Sequence, residues 1–306
     1  MKNKVVIVGC GNVGMSYAYS LLNQKTMVNE LVLVDINKEK TIGEAMDLNH
    51  GLPYSPSKID IKAGDYSDCK DAKIVMIAAG RNQDVGETRM DLIDKNKAVF
   101  KDIIQKIVES GFKGFFIIAT NPVDIMTYIT WKYSGFPKEK IIGTGTTLDS
   151  ARLRYEIGNK LNINPKNIHS YVIGEHGDTE LVPWSGATLG LSDLNDFLSI
   201  EEKKEIEEKV KNMAYDIIKK KGNTSYGIGM ATTRITNALL GNENAILTIS
   251  SYDEENDLFI GYPTIINQNG AIKRLPFPLN SEEQEKFKYS INTLKEVIKK
   301  VNNEIQ

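Results

Sequence analysis

Gly9-Cys10-Gly11-Asn12-Val13-Gly14 stands directly behind the apolar run Val5-Val6-Ile7-Val8 and directly ahead of a stretch with helical spacing, 12–24. Each glycine has its own reason to be there. The first permits a tight strand-to-helix turn, the second lets backbone approach a diphosphate, and the third lets helix and strand pack closely, with the diphosphate at the helix N-terminus. Three spaced glycines alone are a weak signal. Here Asp35 closes the second apolar run, 31–34, and lies 21 residues beyond Gly14, where a carboxylate meets a ribose 2′-hydroxyl. Together these features predict a dinucleotide-binding unit. Asp35 would repel a 2′-phosphate at close range and no arginine follows it directly, so the cofactor reads as NAD rather than NADP. Lys40 is near enough in sequence to reach the adenosine end, and fits a surface lysine equally well.

Working outward, further apolar runs at 74–79, 115–119 and 141–142 lack in/out alternation, and 90–110 has helical spacing. Strands covered on both faces read this way, so residues 1–145 are expected to form a doubly wound parallel α/β (Rossmann) sheet. Gly143-Thr144-Gly145-Thr146 breaks the rhythm, and 146–306 reads as a C-terminal α+β domain. Its expected elements are a helix beginning near Asp149, a strand at 171–173, and a long helix opened by the capping box Ser199…Glu202. A helix over 224–240 closed by Gly241, strands at 245–250 and 259–266, and a final helix capped by Ser281 with Gln284 complete it. The stripe Phe287, Ile291, Leu294, Ile298, Val301, Ile305 gives that last helix one apolar face.

The balance of 38 basic and 40 acidic residues, interspersed to a net charge of -2, gives no footprint for nucleic acid or an anionic membrane. The lysine-rich stretch 203–221 alternates with glutamates as a solvated helix face does. Cys10 and Cys69 are the only cysteines, too few for a disulfide framework or a cysteine zinc site, and no metal is assigned. Met1-Lys2-Asn3-Lys4 runs straight into the first strand with no secretory pattern, and no long apolar run follows. A cytoplasmic location is expected.

Four places carry potential chemistry. His176, one of three histidines, sits in Gly174-Glu175-His176-Gly177-Asp178, where it fits either a proton donor and acceptor or a hydrogen-bonded turn histidine. Asp149 and Arg152 project from one face of a helix start, as a surface ion pair or as an arginine fork for a carboxylate substrate beside an aspartate that orients an imidazole. The polar segment 80–89, including Gly80, Gln83 and Arg89, leaves a strand at the edge that borders the ligand crevice, as an ordinary loop or a lid. Asn121-Pro122 ends the next strand on the same edge.

With these residues placed, the chain resembles the L-2-hydroxyacid dehydrogenases of the lactate/malate dehydrogenase family. The resemblance covers essentially the whole chain. It rests on Gly9 to Gly14, Asp35, Asn82-Gln83 with Gly86-Glu87-Thr88-Arg89, Asn121-Pro122-Val123-Asp124, Leu148-Asp149-Ser150-Ala151-Arg152 and Ile173-Gly174-Glu175-His176-Gly177-Asp178-Thr179. It implies His176 as the acid/base, Asp149 as its orienting partner, Arg152 as the grip on the substrate carboxylate and Arg89 as the group polarising the carbonyl. Asn121 would contact substrate oxygen and cofactor, while Val13, Tyr66, Gly80, Thr144 and Ile228 would join Gly9, Gly11, Asn12, Gly14 and Asp35 in the cofactor site.

In this family the position of Gln83 largely sets the substrate. A neutral glutamine leaves the second carboxylate of a dicarboxylic acid unpaired, and Thr224 limits room for a bulky side chain, so pyruvate and L-lactate are expected. The alternatives are a branched 2-oxo acid, as in the hydroxyisocaproate-type enzymes, and less well malate. Arg154 lies two residues beyond Arg152 and faces away from it. With His169 it matches the positions at which allosteric bacterial members bind fructose 1,6-bisphosphate across a subunit interface. The resemblance further implies a homotetramer, while 190–202 reads as several residues shorter than the family pattern. A protein that kept the fold but lost turnover would tolerate loss of His176, Arg89, Asp149 or Arg152, and all four are present.

Overall fold

A computed structural model describes the backbone of residues 2–81 and 89–305, with all their side chains except those of 89, 91 and 303–305. Gln83 and the rest of 82–88 therefore lie outside the described residues, as does the Arg89 side chain. Six strands run parallel: β1 (Lys4–Val8), β2 (Glu30–Val34), β3 (Asp60–Ala63), β4 (Ile74–Ile77), β5 (Phe115–Ile118) and β6 (Ile141–Gly143). They stand in the order β3-β2-β1-β4-β5-β6. The chain thus starts mid-sheet and winds outward both ways, which leaves a crevice at the carboxyl ends of β1 and β4 where the direction reverses.

Helices α1 (Asn12–Asn23), α2 (Lys38–Gly51), α3 (Arg89–Glu109) and α4 (Val123–Ser134) connect these strands. The unalternating apolar runs are explained by two cores. Val6, Val8, Val32, Val34, Val75 and Ile77 point to the face covered by α3 and α4, whereas Val5, Ile7, Leu31, Leu33, Ile74 and Met76 point to the face covered by α1. Each strand alternates, but both its sides are buried.

The second half contains α5 (Thr147–Leu161), a small antiparallel sheet of β7 (Ile168–His169), β8 (Thr188–Leu189) and β9 (Ser192–Asp193), then α6 (Ile200–Lys221) and α7 (Tyr226–Leu240). It continues through β10 (Ala245–Asp253), β11 (Leu258–Asn267), β12 (Gly270–Arg274) and α8 (Ser281–Ile305). Leu153, Ile157, Ile168, Val172, Leu194, Ile206 and Val210 form its own core between α5 and α6. β10, β11 and β12 nevertheless do not form a separate sheet. They add antiparallel to β6 through the pair Ser250 and Gly143, so nine strands make one sheet among the described residues. Gly143 permits this approach, since a Cβ there would lie 2.6 Å from that of Ser250.

Three expectations need correction. Residues 171–173 are not a strand. Their apolar character reflects burial of Val172 and Ile173, and Ile173 pairs only through an isolated bridge to Leu181. The last helix is capped one residue earlier than read, by Asn280, whose Oδ1 accepts from Glu283 N while Glu283 Oε2 accepts from Asn280 N. Residues 224 and 225 precede α7 rather than opening it. The capping box of Ser199 and Glu202 on α6 is present as expected.

Candidate active site

Asp149 lies in the first turn of α5, and the segment carrying His176 is bound to that turn. Thr146 Oγ1 donates to Val172 O at 2.6 Å, and Val172 N donates to Ser150 Oγ at 2.9 Å. His176 Nδ1 then stands 2.7 Å from Asp149 Oδ2, and Arg152 Nη1 donates to Asp149 Oδ1 at 2.9 Å. Asp149 and Arg152 are buried, while His176 keeps partial exposure. The sequence left a surface ion pair open for Asp149 and Arg152; their burial excludes it.

The electrostatics favour an imidazolium. Burial works against the charge on His176, but the contact and charge of Asp149, with added field from Glu180 and Asp124, hold its pKa up at about 9. Asp149 titrates below its ordinary value. Its burial opposes this, and the charges and hydrogen bonds of His176 and Arg152 outweigh it. A carboxylate that fixes Nδ1–H leaves Nε2 as the ring atom able to exchange a proton with a ligand.

Several residues at the site were not singled out from sequence. Asp124, in the first turn of α4, accepts from His176 N at 2.8 Å and from Ser250 Oγ at 2.5 Å. Glu180 places a polar atom within 4.8 Å of those of Asp149 and His176. Burial and the charge of Asp149 push its carboxyl up to about 8. Asn96, fully buried on α3, takes Arg81 N at 2.8 Å and donates to Asn121 O at 3.3 Å, tying the root of the 80s segment to the end of β5. Glu180 has a weak sequence signal, an acid four residues past the histidine. Asp124 carries no sequence signal of its own beyond its place in Asn121-Pro122-Val123-Asp124.

The residues expected at the cofactor follow the ends of the parallel strands or flank the first turn of α1. Gly9 has φ +100°, and a Cβ there would meet the backbone of Ala78 and Ala79. One on Gly14 would overlap the Gly9 carbonyl oxygen. Over Gly11 nothing lies within 4 Å. The N-terminus of α1 begins there with no side-chain cap and no acid in its first turn, leaving its amides free for an anion. The Asp35 carboxylate accepts from Cys10 N at 2.7 Å and Lys40 Nζ donates to Cys10 O at 2.8 Å, so both stand at this turn. Asn12 is exposed at the helix start and Val13 half-buried against the sheet. Gly80 follows β4 beside Thr120, Asn121 lies exposed in the turn after β5, and Thr144 is buried past β6. Tyr66 is half-buried under the Lys106 amine, 5.4 Å from its ring centroid. Thr224 precedes α7 and Ile228 lies in its first turn; both are half-buried, and the next residue, Gly229, touches the α1 backbone.

The expected activator residues are not joined to one another. His169 is exposed on β7, and Arg154 Nε donates to Ser150 O at 3.1 Å. No carboxylate pairs with Arg154 among the described residues, and burial lowers its pKa.

The two halves of the chain match the two domain descriptions of a single family: "lactate/malate dehydrogenase, NAD binding domain" over residues 3–143 and "lactate/malate dehydrogenase, alpha/beta C-terminal domain" over 146–305. The chain belongs to the lactate/malate dehydrogenase family. Among its relatives in this family, L-lactate dehydrogenase 2 of Bacillus cereus is 52% identical over 306 residues, covering 97% of each chain. A lactate dehydrogenase from a Medee basin deep-sea metagenome library superimposes with a TM-score of 0.94 at 48% identity, covering 97% of this chain and 98% of that one. The minor L-lactate dehydrogenase of Enterococcus mundtii in its ligands-bound form gives a TM-score of 0.95 at 43% identity, covering 98% of both.

Proposed function

We propose that the protein is an NAD-dependent L-lactate dehydrogenase, interconverting pyruvate and L-lactate. The observation that carries this is the chain Arg152–Asp149–His176, in which the buried Asp149 carboxylate holds an anion grip on one oxygen and the partly exposed ring of a proton donor on the other. When bound, the nicotinamide ring supplies or accepts the hydride at the 2-carbon of the acid. The open N-terminus of α1 at Gly11, with Asp35 beside it, fits the diphosphate and ribose of that cofactor.

In this reading Arg152 holds the substrate carboxylate with guanidinium N–H groups other than the Nη1–H committed to Asp149. His176 gives its Nε2 proton to the carbonyl oxygen in reduction and takes it back in oxidation. Asp149 keeps the ring in the required tautomer and stabilises its charged form. Asn121 contacts the substrate oxygen, and Arg89 polarises it. Gln83 and Thr224 select a small uncharged 2-substituent. Gly80, Val13, Tyr66, Thr144 and Ile228 line the cofactor site, and the division between its two domains falls near 145.

Arg154 and His169 form half of a fructose 1,6-bisphosphate site, supported by the absence of a carboxylate partner on Arg154 among the described residues. The other half would come from a neighbouring subunit of a homotetramer. Exposed Tyr19 and Met46 on α1 and α2, and Met230 on α7, offer apolar surface for assembly. No described helix is long and apolar enough to cross a membrane, and both thiols are buried and free, in keeping with a cytoplasmic location.

The test is NADH absorbance with pyruvate, oxaloacetate and 2-oxoisocaproate in parallel. Pyruvate is expected to have the highest kcat/KM. Rapid turnover of oxaloacetate with little of pyruvate would replace this reading with a malate dehydrogenase, and preference for 2-oxoisocaproate with the hydroxyisocaproate type.

A further inference from the structure

Three consecutive main-chain amides fix the loop that carries the imidazole. Gly174 N donates to Gly261 O at 2.9 Å, Glu175 N to Ser290 Oγ at 2.8 Å and His176 N to Asp124 Oδ2 at 2.8 Å. The first two anchors belong to β11 and α8 of the second half. The third comes from α4, two residues beyond Pro122 and three beyond Asn121. Asp124 is 2% exposed, and its other oxygen takes the Ser250 hydroxyl of β10 at 2.5 Å. No lysine or arginine pairs with it among the described residues.

Burying a carboxylate with no cation is costly, and a neutral acceptor would serve one amide equally well. The arrangement gains two things from the charge. Both acceptor oxygens are filled by donors from different elements, which fixes three segments against each other. The charge also sits beside the backbone of the residue whose ring must become cationic.

We propose that Asp124 is a positioning residue for the reaction, clamping the His176 main chain and Ser250 to the start of α4 so that the imidazole keeps its place relative to Asn121 and its positive charge is favoured. Asp149 acts on the ring at Nδ1, and Asp124 acts from behind through the backbone. Among the described residues, the titratable and charged groups facing His176 are Asp149 with Arg152 on α5, Asp124 on α4 and Glu180 in its own loop. Those facing Asp124 are His176 and Glu175. Burial, more than the charge of Glu175, pushes the Asp124 carboxyl up to about 6, against the hydrogen bonds of Ser250 and His176, so it is ionised at neutral pH.

The inference rests on the dehydrogenase reading for its consequence in turnover but not for the titration. Asp124→Asn keeps the shape: its Oδ1 can accept from His176 N while its amide donates to Ser250 Oγ. Asp124→Ala removes the clamp. The His176 ring resonance, assigned against His176→Asn, is titrated by NMR in the protein alone. Its midpoint should fall by about half a pH unit in Asp124→Asn. With NADH and pyruvate, Asp124→Ala should lose about tenfold or more in kcat, with KM and NADH affinity changed less than about threefold, and Asp124→Asn should recover most of that kcat. An unmoved midpoint in Asp124→Asn, or a kcat in Asp124→Ala equal to wild type, overturns the proposal. Should Asp124→Ala fail to fold, the Asp124→Asn midpoint decides alone. A wild-type protein that turns over no 2-oxo acid while the midpoint still moves would sink the dehydrogenase reading and leave Asp124 in place.

Discussion

His176 and Asp149 share a 2.7 Å contact in which the aspartate is already committed on its other oxygen to Arg152. In the proposed mechanism one carboxylate therefore orients both the proton donor, His176, and the cation meant for the substrate carboxylate, Arg152. On that mechanism substrate placement and proton transfer are mechanically one unit, and errors in either should be felt by both.

The pH dependence follows from the direction of the His176 shift. With its pKa raised from 6.5 to about 9, the imidazolium needed for pyruvate reduction persists through neutral pH. kcat/KM for pyruvate is expected to be level from pH 7 to 8 and to fall about tenfold per unit above 9. Lactate oxidation needs the neutral ring and should rise through the same midpoint. The stability contributed by this group is complete below pH 6.5 and lost as pH climbs through about 9, which thermal melts across that window will read.

Asp149→Asn should leave NADH binding near wild type and reduce kcat by about 10²- to 10⁴-fold, since an amide can hold the wrong tautomer and cannot stabilise the imidazolium. The His176 midpoint should drop toward 6.5. Rapid-mixing turnover with an independent fluorescence titration of NADH separates the two effects. A kcat within twofold of wild type would remove Asp149 from the mechanism.

Gly14→Ala is expected to abolish tight NADH binding or the fold itself, because the new methyl would overlap the carbonyl oxygen of Gly9 in the turn beneath the diphosphate. Gly11→Ala, facing open space, should fold normally and lose only cofactor affinity. Equal melting temperatures with unequal NADH dissociation constants would show the difference, and full affinity in Gly11→Ala would argue against a diphosphate at that spot.

Gln83→Arg should shift the ratio of kcat/KM values from pyruvate toward oxaloacetate by about 10²-fold or more, as its guanidinium pairs the second carboxylate. An unchanged ratio would mean that position 83 does not face the substrate.

Arg154→Gln with His169→Gln should erase any fructose 1,6-bisphosphate effect on the pyruvate saturation curve without touching the saturated kcat. A wild-type curve that ignores the sugar bisphosphate from pH 5 to 8 removes the activator site.

Much of the cofactor half was legible because its signals are local: Gly9 to Gly14 and Asp35 are read within one β-α-β unit. The rest required contacts that cross the chain. Asp124 meets His176 at a separation of 52 residues, and nothing in Asn121-Pro122-Val123-Asp124 announces it. Strand β3 was not expected because it is an edge strand with Asp60 and Lys62 on its open side. Residues 171–173 were read as a strand because buried β-branched side chains look alike in a ladder and in a loop. There the backbone bonds instead to Ser150 and Thr146 side chains. Asn280 outcompeted Ser281 as cap because Glu283, not Gln284, could answer it.

The continuity of the nine-stranded sheet has a consequence for how the molecule handles heat and ligands. Two lobes hinged at residue 145 would have to part β6 from β10, where Gly143 and Ser250 pair. The shared sheet holds the two halves together at that point. Ligand binding should leave the small-angle scattering profile of the protein almost unaltered, and calorimetry should record one endotherm for both halves of the chain.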